Sequence, residues 1–333
     1  MAGDRQQDTH PHAGAPRRRV LAAAALAPML AGAPTPARAL SDGGTEPGKN
    51  GLLKPVNTAL PDWTSVSEKL GGAGDMKRKV MFHTGLPRRD LRVRSRKIDV
   101  HPALALGSHV SFVRYGDGST LAMGDVVVTE DELQQFIDVL HKHRIEQTAI
   151  HKHLLSQAPD LWWVHVHAHG HDPGAIAQGL RAAFDRTGTP RPRPTAAPGR
   201  VDLDTAGIDA ALGAKGSVDD GIYKCIFVRR ETITDGRLVL PPGLGSTSAF
   251  NFQPLGRGRA AISGDCAMIA GEVQDVLVAL RRAGAELVEL HNHGLRDEPR
   301  LFFTHFWAVG DGVRLARALR PAVEATNVVP AGG

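Results

Sequence analysis

The chain has 333 residues, 42% of them hydrophobic and 23% charged, which is typical of a globular protein with room for two domains and excludes general disorder. Its formal net charge is +5, but residues 1–39 contain five arginines against two aspartates and so supply +3 of that excess. The remaining charge of about +2 is too small to attract a polyanion, and we predict no nucleic-acid partner.

The first residues have the pattern of an export signal. Arg17-Arg18-Arg19-Val20-Leu21 is similar to the twin-arginine motif, although Pro16 stands where Ser or Thr is usual. The apolar run Val20–Ala33 is shorter than the ~20 residues of a membrane-spanning helix, and Ala37-Arg38-Ala39 fits a cleavage site. We therefore predict a twin-arginine-type signal peptide at residues 1–39 and a secreted, extracytoplasmic mature protein without a transmembrane segment. No cysteine lies near the cleavage site, so we predict that the protein is not a lipoprotein.

A flexible lead-in at residues 40–53 precedes the first predicted domain, residues 54–186. Ser108–Tyr115 is predicted to be a strand, and a second strand is predicted to end at Gly124. Thr129, with Glu132 three residues later, has the pattern of a capped helix start. Two strands and a last helix are predicted to complete the unit: Ile145–His153, Leu161–Ala168 and the helix that begins at Asp172-Pro173.

The same order recurs after a Pro-rich linker at residues 187–200. Gly124-Asp125 is repeated as Gly264-Asp265, an offset of 140 residues. The second predicted domain covers residues 201–328, with strands at Ser248–Leu255, Ala285–His293 and Leu301–Ala308 and a helix that begins at Asp311. We therefore predict an α+β fold of two tandem homologous two-layer ββαββα domains, each with its helices on one sheet face.

Three histidines recur at that same offset of 140: His151, His153 and His165 in the first repeat, and His291, His293 and His305 in the second. Side chains alternate along a strand, so the two histidines of each His-x-His point to one face. An antiparallel hairpin centred near Pro299 would bring His305 opposite His293. Three imidazoles leave one coordination position open, and Glu298 in the connecting turn is a candidate fourth ligand or general base. The pattern predicts a divalent transition metal (Zn, Cu, Fe or Mn) in each repeat.

The second repeat has the more complete set of candidate ligands and is predicted to hold the principal site. Ala158 stands at the position of Glu298, and Lys152 at that of Asn292. Asp125 and Asp265 are predicted to end strands just before helices, where helix capping or backbone bonding is the favoured interpretation and a ligand or acid–base role is the alternative.

Two other features leave alternatives open. Arg92, Arg94 and Arg96 alternate along a predicted strand, where they either bind an anion or envelope polymer or form a solvated face. Cys225 and Cys266, which have no counterparts in the first repeat, form a disulfide or remain thiols.

Several motifs of the chain carry a family resemblance: Leu212–Gly216, Gly264-Asp265, His291-Asn292-His293 through Glu298-Pro299 to His305, Met123-Gly124-Asp125-Val126, and Ala149-Ile150-His151. On these residues the chain resembles the LppY/LpqO family of exported bacterial proteins, and the resemblance covers most of residues 55–328. Some relatives are lipoproteins, from which this chain differs by lacking the cleavage-site cysteine. The family has no known function, so the resemblance implies no activity.

The sequence favours an exported metal-binding protein, and catalysis by a metal-activated water is a further hypothesis. One alternative is a non-haem iron or copper enzyme that uses oxygen. Another is a non-catalytic cell-envelope interaction module in which the histidines are structural. The partner, whether a small molecule or an envelope component, is not specified by any motif.

Overall fold

The computed structural model describes residues 51–192 and 199–332. The predicted signal peptide, residues 40–50 of the lead-in and residues 193–198 of the linker lie outside the described residues. Residues 51–333 form one compact unit that contains both repeats. Within the described ranges, no helix has both the length and the apolar character needed to cross a membrane.

The elements follow the same order in the two repeats. After a 3-10 helix at Leu60–Trp63, the first repeat contains α1 Thr64–Leu70, β1 Asp75–Lys77, β2 Met81–Pro87, β3 Val93–Ser95, β4 Ile98–Val100, α2 Pro102–Ala105, β5 Gly107–Arg114, β6 Thr120–Thr129, α3 Glu130–Lys142, β7 Glu146–His151, β8 Gln157–Ala158, β9 Leu161–Gly170 and α4 Pro173–Phe184. The second repeat contains α5 Thr205–Leu212, β10 Ser217–Asp219, β11 Ile222–Arg229, β12 Thr234–Asp235, β13 Leu238–Val239, β14 Thr247–Pro254, β15 Arg259–Ile269, a 3-10 helix Ala270–Glu272, α6 Val273–Arg282, β16 Glu286–His291, β17 Asp297–Glu298, β18 Leu301–Asp311, α7 Gly312–Glu324 and β19 Val328–Pro330.

The helix starts that the sequence predicts are confirmed. The Thr129 hydroxyl accepts a hydrogen bond from the Glu132 backbone N–H at 3.3 Å, while the Glu132 carboxylate accepts one from the Thr129 N–H at 2.8 Å. Asp172 and Asp311 cap α4 and α7 by accepting backbone N–H groups three residues ahead, each at 2.9 Å. Caps of this type stabilise a helix by about 0.5–2 kcal/mol, so these four side chains fix where three of the long helices begin.

Each repeat forms one large antiparallel sheet, and the strand orders of the two large sheets correspond. The orders are β1-β2-β5-β6-β9-β7 and β10-β11-β14-β15-β18-β16, with β19 also pairing with β11. The fold is thus mixed α+β with two tandem repeats, but each repeat is larger than the six predicted elements. A helix and two sheet strands precede them (α1, β1 and β2; α5, β10 and β11), and each repeat adds a three-stranded sheet, β4-β3-β8 or β13-β12-β17.

The predicted basic strand is reduced to the short β3, and one arginine of this strand and one in the following turn face acidic partners. Arg94 forms an ion pair with Asp99 at 2.9 Å, and Arg96 forms one with Glu286 of the second repeat at 2.6 Å. All four side chains are largely exposed, so each pair contributes at most about 1 kcal/mol.

Residue parity determines which face of each sheet a side chain occupies. On β6 and β9 the even-numbered residues pack beneath the helices of the first repeat, as Val126 and Val164 do. On β15 and β18 the even-numbered Ile262 and Phe306 pack in the same way beneath the helices of the second. Because side chains alternate, the odd-numbered residues of all four strands occupy the opposite faces.

These opposite faces pack against each other. Two apolar clusters each combine residues of both repeats: Met123 with Phe303 in one, and Trp163 with Trp307 in the other. The result is four layers, helices outside and two sheets inside, with the odd-numbered face of each sheet turned toward the other. Any polar side chain on an odd position of β6, β9, β15 or β18 therefore lies between the sheets.

The two cysteines are free thiols, both buried. Cys225 and the even-numbered Cys266 pack in the helix-side core of the second repeat. Burial raises the pKa of the Cys225 thiol to about 12, so both their placement and their protonation keep them out of the chemistry between the sheets.

Candidate metal centre

All six histidines predicted as ligands meet in a single cluster between the two sheets. Across the repeats, ring centroids lie 4.0 Å apart for His151 and His291, 3.8 Å for His153 and His305, and 4.0 Å for His165 and His293. Each of these pairs joins one repeat to the other. The prediction of a separate site in each repeat is therefore corrected: the faces that carry the histidines pack against each other and merge the two sets.

The hairpin register also differs from the predicted one. His305 pairs with Glu289 and His291 pairs with Phe303, so the hairpin is centred near residue 297 and not near Pro299. Because this difference moves the partner of His305 by an even number of residues, the histidines stay on the predicted face. The first repeat has the same register, with His165 opposite Ala149 and His151 opposite Trp163.

A backbone carbonyl orients the third histidine of each repeat. His165 Nδ1 lies 3.3 Å from the Gly124 carbonyl oxygen, and His305 Nδ1 lies 3.3 Å from that of Gly264. An imidazole that donates its Nδ1–H to a carbonyl presents Nε2 with a free lone pair, the usual arrangement of a metal-ligating histidine. In both rings this Nε2 atom is buried and has no hydrogen-bond partner.

Two groups of three histidines in the described residues are close enough to hold a metal ion. In each group the candidate ligand nitrogens all lie within 4.8 Å of one another; the groups are His151 with His165 and His291, and His151 with His153 and His305. Within the second group, His151 Nε2 and His153 Nε2 are 2.9 Å apart. Both groups draw on both repeats, so a bound ion would be held by the interface itself.

The cluster concentrates the unsatisfied polar atoms of the protein. Among the described residues, thirteen buried side-chain nitrogen or oxygen atoms have no hydrogen-bond partner, and eight of them belong to the histidine cluster and the two aspartates beside it. A buried polar atom without a partner costs about 1–3 kcal/mol, so such groups are normally satisfied. Bound metal ions would supply partners for these imidazole nitrogens and carboxylate oxygens.

Asp125 and Asp265 lie beside the histidines, not at strand ends. Both are odd-numbered residues inside β6 and β15, where they pair with His165 and His305 on the neighbouring strands. An Asp125 carboxylate oxygen is 3.1 Å from His153 Nε2, and the corresponding Asp265 oxygen is 3.6 Å from His293 Nε2. The predicted helix-capping role is wrong for Asp125, because Thr129 caps α3. Both carboxylates lie beside the histidines, and Asp265 also makes a backbone contact at Cys266. Their odd numbering and their repeat at an offset of 140 were the signals that pointed to this face.

Burial keeps the clustered imidazoles neutral. It lowers the pKa of His165 to about 4 and that of His291 to about 2, with neighbouring histidines adding to the effect at His291. The pKa values of His151, His153, His293 and His305 are lowered well below the ordinary value for the same reason. Neutral imidazole is the form that ligates metal, so at pH 7 no proton has to leave these rings.

The Asp265 carboxyl shifts in the opposite direction. Burial and the nearby Asp125 charge raise its pKa well above the ordinary value. Without a cation beside it, this carboxyl is favoured in its protonated form, whereas a bound divalent ion would stabilise the carboxylate.

A cavity of about 1250 Å³ reaches the cluster from the surface and is lined by both repeats. Its inner wall includes four of the clustered histidines together with Asp125 and Asp265: His153, His165, His293 and His305. Its outer wall includes the exposed Arg89 and Gly107. Small molecules therefore have a route to the histidine cluster.

Two histidines of the cavity wall were not singled out from the sequence. His83 Nδ1 lies 2.9 Å from the Ser111 hydroxyl, and the His83 and His109 rings are 5.5 Å apart. The second repeat has Lys224 and Ala249 at the corresponding positions, so the repeat pattern gave no signal for these two histidines.

Glu298, the predicted fourth ligand or base, does not reach the cluster. It is exposed on β17, where its backbone pairs with Thr234 of β12, and it belongs to neither group of candidate ligands. The segment between β16 and β18 leads away from the cluster and joins the three-stranded sheet through β17. Glu298 is therefore close to His293 in sequence but not in space. Lys152 also points away, with its ammonium 4.4 Å from the Trp162 ring on the helix side.

Gly124 on β6 has no side chain, which leaves room for the backbone of the neighbouring strand β5. We therefore expect Gly124→Ala to reduce the unfolding free energy by about 1–3 kcal/mol. An added Cβ would lie 2.3 Å from the His109 carbonyl oxygen and 3.0 Å from Val110 Cα, both backbone atoms. Urea unfolding would measure the change. Gly85→Ala is the control, since a Cβ at this exposed position on β2 meets no atom within 4 Å. Equal unfolding free energies for Gly124→Ala and Gly85→Ala would contradict the close approach of Gly124 to the backbone of β5.

Comparison with known proteins identifies the repeat but no activity. A family model described as Domain of Unknown Function (DUF1259) matches residues 64–186 and again residues 206–325. No curated protein matches the chain.

Weak similarities to solved structures involve shell proteins. A trimeric bacterial microcompartment shell protein, PduB, is 12% identical with a TM-score of 0.21, over 76% of this chain and 93% of its own. EtuB from Clostridium kluyveri is 12% identical with a TM-score of 0.17, over 65% of this chain and 83% of its own. Scores this low carry no argument about fold or function.

Proposed function

The chain belongs to the family of Domain of Unknown Function (DUF1259), and we propose that it binds divalent transition metal through one histidine centre shared by its two repeats. The observation that carries this proposal is the convergence of six imidazoles, three buried and three half-buried, with Nε2 of His165 and of His305 left free by Nδ1 contacts to backbone carbonyls. Structural histidines in a core normally have both nitrogens satisfied, so this arrangement is better explained by ligation.

The donor set fits the metals expected from the sequence. Zn–N bonds of about 2.0–2.1 Å allow two ligand nitrogens to be up to about 4 Å apart. In the two groups the candidate ligand nitrogens lie within 4.8 Å of one another, and those of His151 and His153 are 2.9 Å apart. Imidazole nitrogen suits Zn, Cu and Fe, and the nearby carboxylates of Asp125 and Asp265 extend the set to Mn. Such an ion would act as a Lewis acid toward a molecule in the cavity.

Metal analysis tests this proposal directly. The protein, purified without a His tag, would be reconstituted separately with Zn²⁺, Cu²⁺, Fe²⁺ and Mn²⁺, desalted, and its metal content measured. We expect at least one ion per chain with one or more of these metals, and a higher unfolding temperature than for the chelator-treated protein because binding stabilises the folded state. No stoichiometric metal under any of the four conditions would contradict metal binding and favour the interaction module.

The cavity favours metal-dependent catalysis as a second candidate function. It brings solvent and small molecules to the histidines and to Asp125 and Asp265, which replace Glu298 as the candidate acid–base groups. We expect Asp265→Asn to retain metal but to lose any turnover of p-nitrophenyl acetate or p-nitrophenyl phosphate. Oxygen consumption by the Fe²⁺-loaded protein would instead support the oxygen-using alternative. Equal turnover by the wild type and the Asp265→Asn variant would exclude Asp265 from catalysis.

We further propose that the protein is exported by its twin-arginine-type segment and that it belongs with the LppY/LpqO proteins. The ββαββα layout is proposed as the core of a larger duplicated unit that also includes the preceding helix and two strands. These proposals rest on Arg17-Arg18-Arg19, the repeated Gly-Asp motif and the histidine spacing. Cell fractionation of the full-length protein and of an Arg17→Lys/Arg18→Lys/Arg19→Lys variant tests export; retention of only the variant in the cytoplasm is the expected result.

A further inference from the structure

We propose that the shared centre holds two metal ions, one on each of two equivalent histidine triads; this inference rests on the proposed metal binding. Triad A consists of His151, His153 and His305. Triad B consists of His291, His293 and His165, which are the residues that correspond to triad A at the repeat offset of 140. Each triad combines the His-x-His pair of one repeat with the third histidine of the other, and the triads have no residue in common.

The two triads have nearly the same geometry. In triad A the ring centroids are 4.9 Å apart for His151 and His153, 5.3 Å for His151 and His305, and 3.8 Å for His153 and His305. The corresponding separations in triad B are 5.2, 5.7 and 4.0 Å. The ligand nitrogens of triad A lie within 4.8 Å of one another. The other group of this closeness joins His165 and His291 of triad B to His151 and not to His293, so the case for a second position in triad B rests on the matching ring separations.

The rings that join the triads set the spacing between the two positions. His151 of triad A and His291 of triad B are stacked, with centroids 4.0 Å apart and an angle of 15° between the rings. Nearly parallel rings at this distance allow ions bound in their planes to lie on the order of 4 Å apart when the ligating nitrogens point the same way, a spacing in the range of about 3.5–4 Å typical of two-metal sites.

Each triad also has one carboxylate of its own. Asp125 contacts His153 of triad A at 3.1 Å, and Asp265 contacts His293 of triad B at 3.6 Å. The Oδ1 atom of each aspartate is buried and has no hydrogen-bond partner. Two ions would provide a partner for each carboxylate and would offset the repulsion between two buried negative charges, which a single ion would do less completely.

In each triad, the second histidine of the His-x-His pair stacks on an aromatic side chain. Trp163 stacks on His153 with centroids 4.6 Å apart, and Phe303 stacks on His293 at 3.3 Å. These aromatic residues occupy equivalent positions in the two repeats. His153 and His293 are therefore the matched pair of residues with which to test the triads separately.

The test is metal stoichiometry with Zn²⁺ and, in parallel, Mn²⁺ as probes. We expect two ions per chain in the wild type, one in His153→Ala, one in His293→Ala and none in the double variant. His153→Gln and His293→Gln, which keep more of the side-chain volume, provide a second pair should an alanine variant unfold, and circular dichroism reports folding in each case.

The outcomes separate this inference from the proposed function. A wild-type content of one ion per chain would overturn the two-ion proposal while leaving the shared centre intact. Loss of all metal in either folded single variant would also overturn it, because one ion would then depend on both triads. Two ions in both single variants would exclude the triads as the ligands, and no metal in the wild type would contradict the proposed function itself.

Discussion

The double variant His151→Ala/His291→Ala is expected to bind metal more than about 100-fold more weakly than the wild type. Loss of a residue that only supports a ligand typically lowers metal affinity by about 10–100-fold, and loss of two ligands should exceed this. The two rings stack 4.0 Å apart at the centre of the cluster, and every candidate ligand group contains at least one of them. Each bound ion therefore loses a nitrogen ligand and leaves buried donors without partners. Competition with a fluorescent chelator measures the affinity.

The control for this double variant removes two histidines that lie outside the cluster. His141 and His171 are exposed, and His141→Ala/His171→Ala is expected to bind metal as the wild type does. An equal loss of metal affinity in the two double variants would show that binding depends on the number of histidines and not on the cluster. Unchanged affinity in His151→Ala/His291→Ala would place the metal elsewhere in the chain.

Lowering the pH is expected to destabilise the metal-free protein steeply below pH 6.5. The clustered histidines have folded-state pKa values below 6.5, about 4 for His165 and about 2 for His291, so below pH 6.5 the unfolded chain binds more protons than the folded one. The unfolding free energy then falls as pH falls, by up to about 1.4 kcal/mol per pH unit for each histidine that stays neutral. For His165 this loss continues to about pH 4.

Asp265 acts in the direction opposite to that of the six clustered histidines. Its raised pKa means that the folded state binds a proton more tightly than the unfolded chain, which offsets part of the loss as the pH falls. Urea midpoints of the metal-free protein at pH 7.5, 6.5 and 5.5 measure the net effect. The His151→Ala/His291→Ala variant, with fewer neutral imidazoles to protonate on unfolding, should show a flatter profile. A stability independent of pH across this range would mean that the six rings are not buried as neutral groups.

Local patterns in the sequence predicted the parts of the fold that depend on neighbouring residues. The capping box of Thr129 and Glu132 and the cap at Asp172 correctly located helix starts, because these contacts span only three residues. Strand alternation correctly placed His291 and His305 on one sheet face, because it depends only on neighbouring residues of each strand. His293, two residues beyond the end of β16, joins them in the cluster. The early elements α1, β1 and β2 were missed, since their short segments carry little periodic signal.

The arrangement of the centre depends on tertiary packing, which periodicity does not encode. Alternation shows that His165 and Asp125 share a face with other odd-numbered residues, but not that this face packs against the equivalent face of the second repeat. The sequence therefore predicts a separate site for each histidine triplet, although in the structure each triplet is completed by the other. Glu298 was favoured for its nearness in sequence to His293, whereas the outward path of β17 is set by its pairing with β12.

The most direct test of a centre shared by the two repeats is an anomalous-scattering map of crystals of the metal-loaded protein, recorded at the absorption edge of the bound ion. We expect metal peaks between the sheets, each within bonding distance of histidines from both repeats, such as His153 together with His305. Peaks whose protein ligands all come from one repeat, or that lie outside the cluster, would contradict the shared centre.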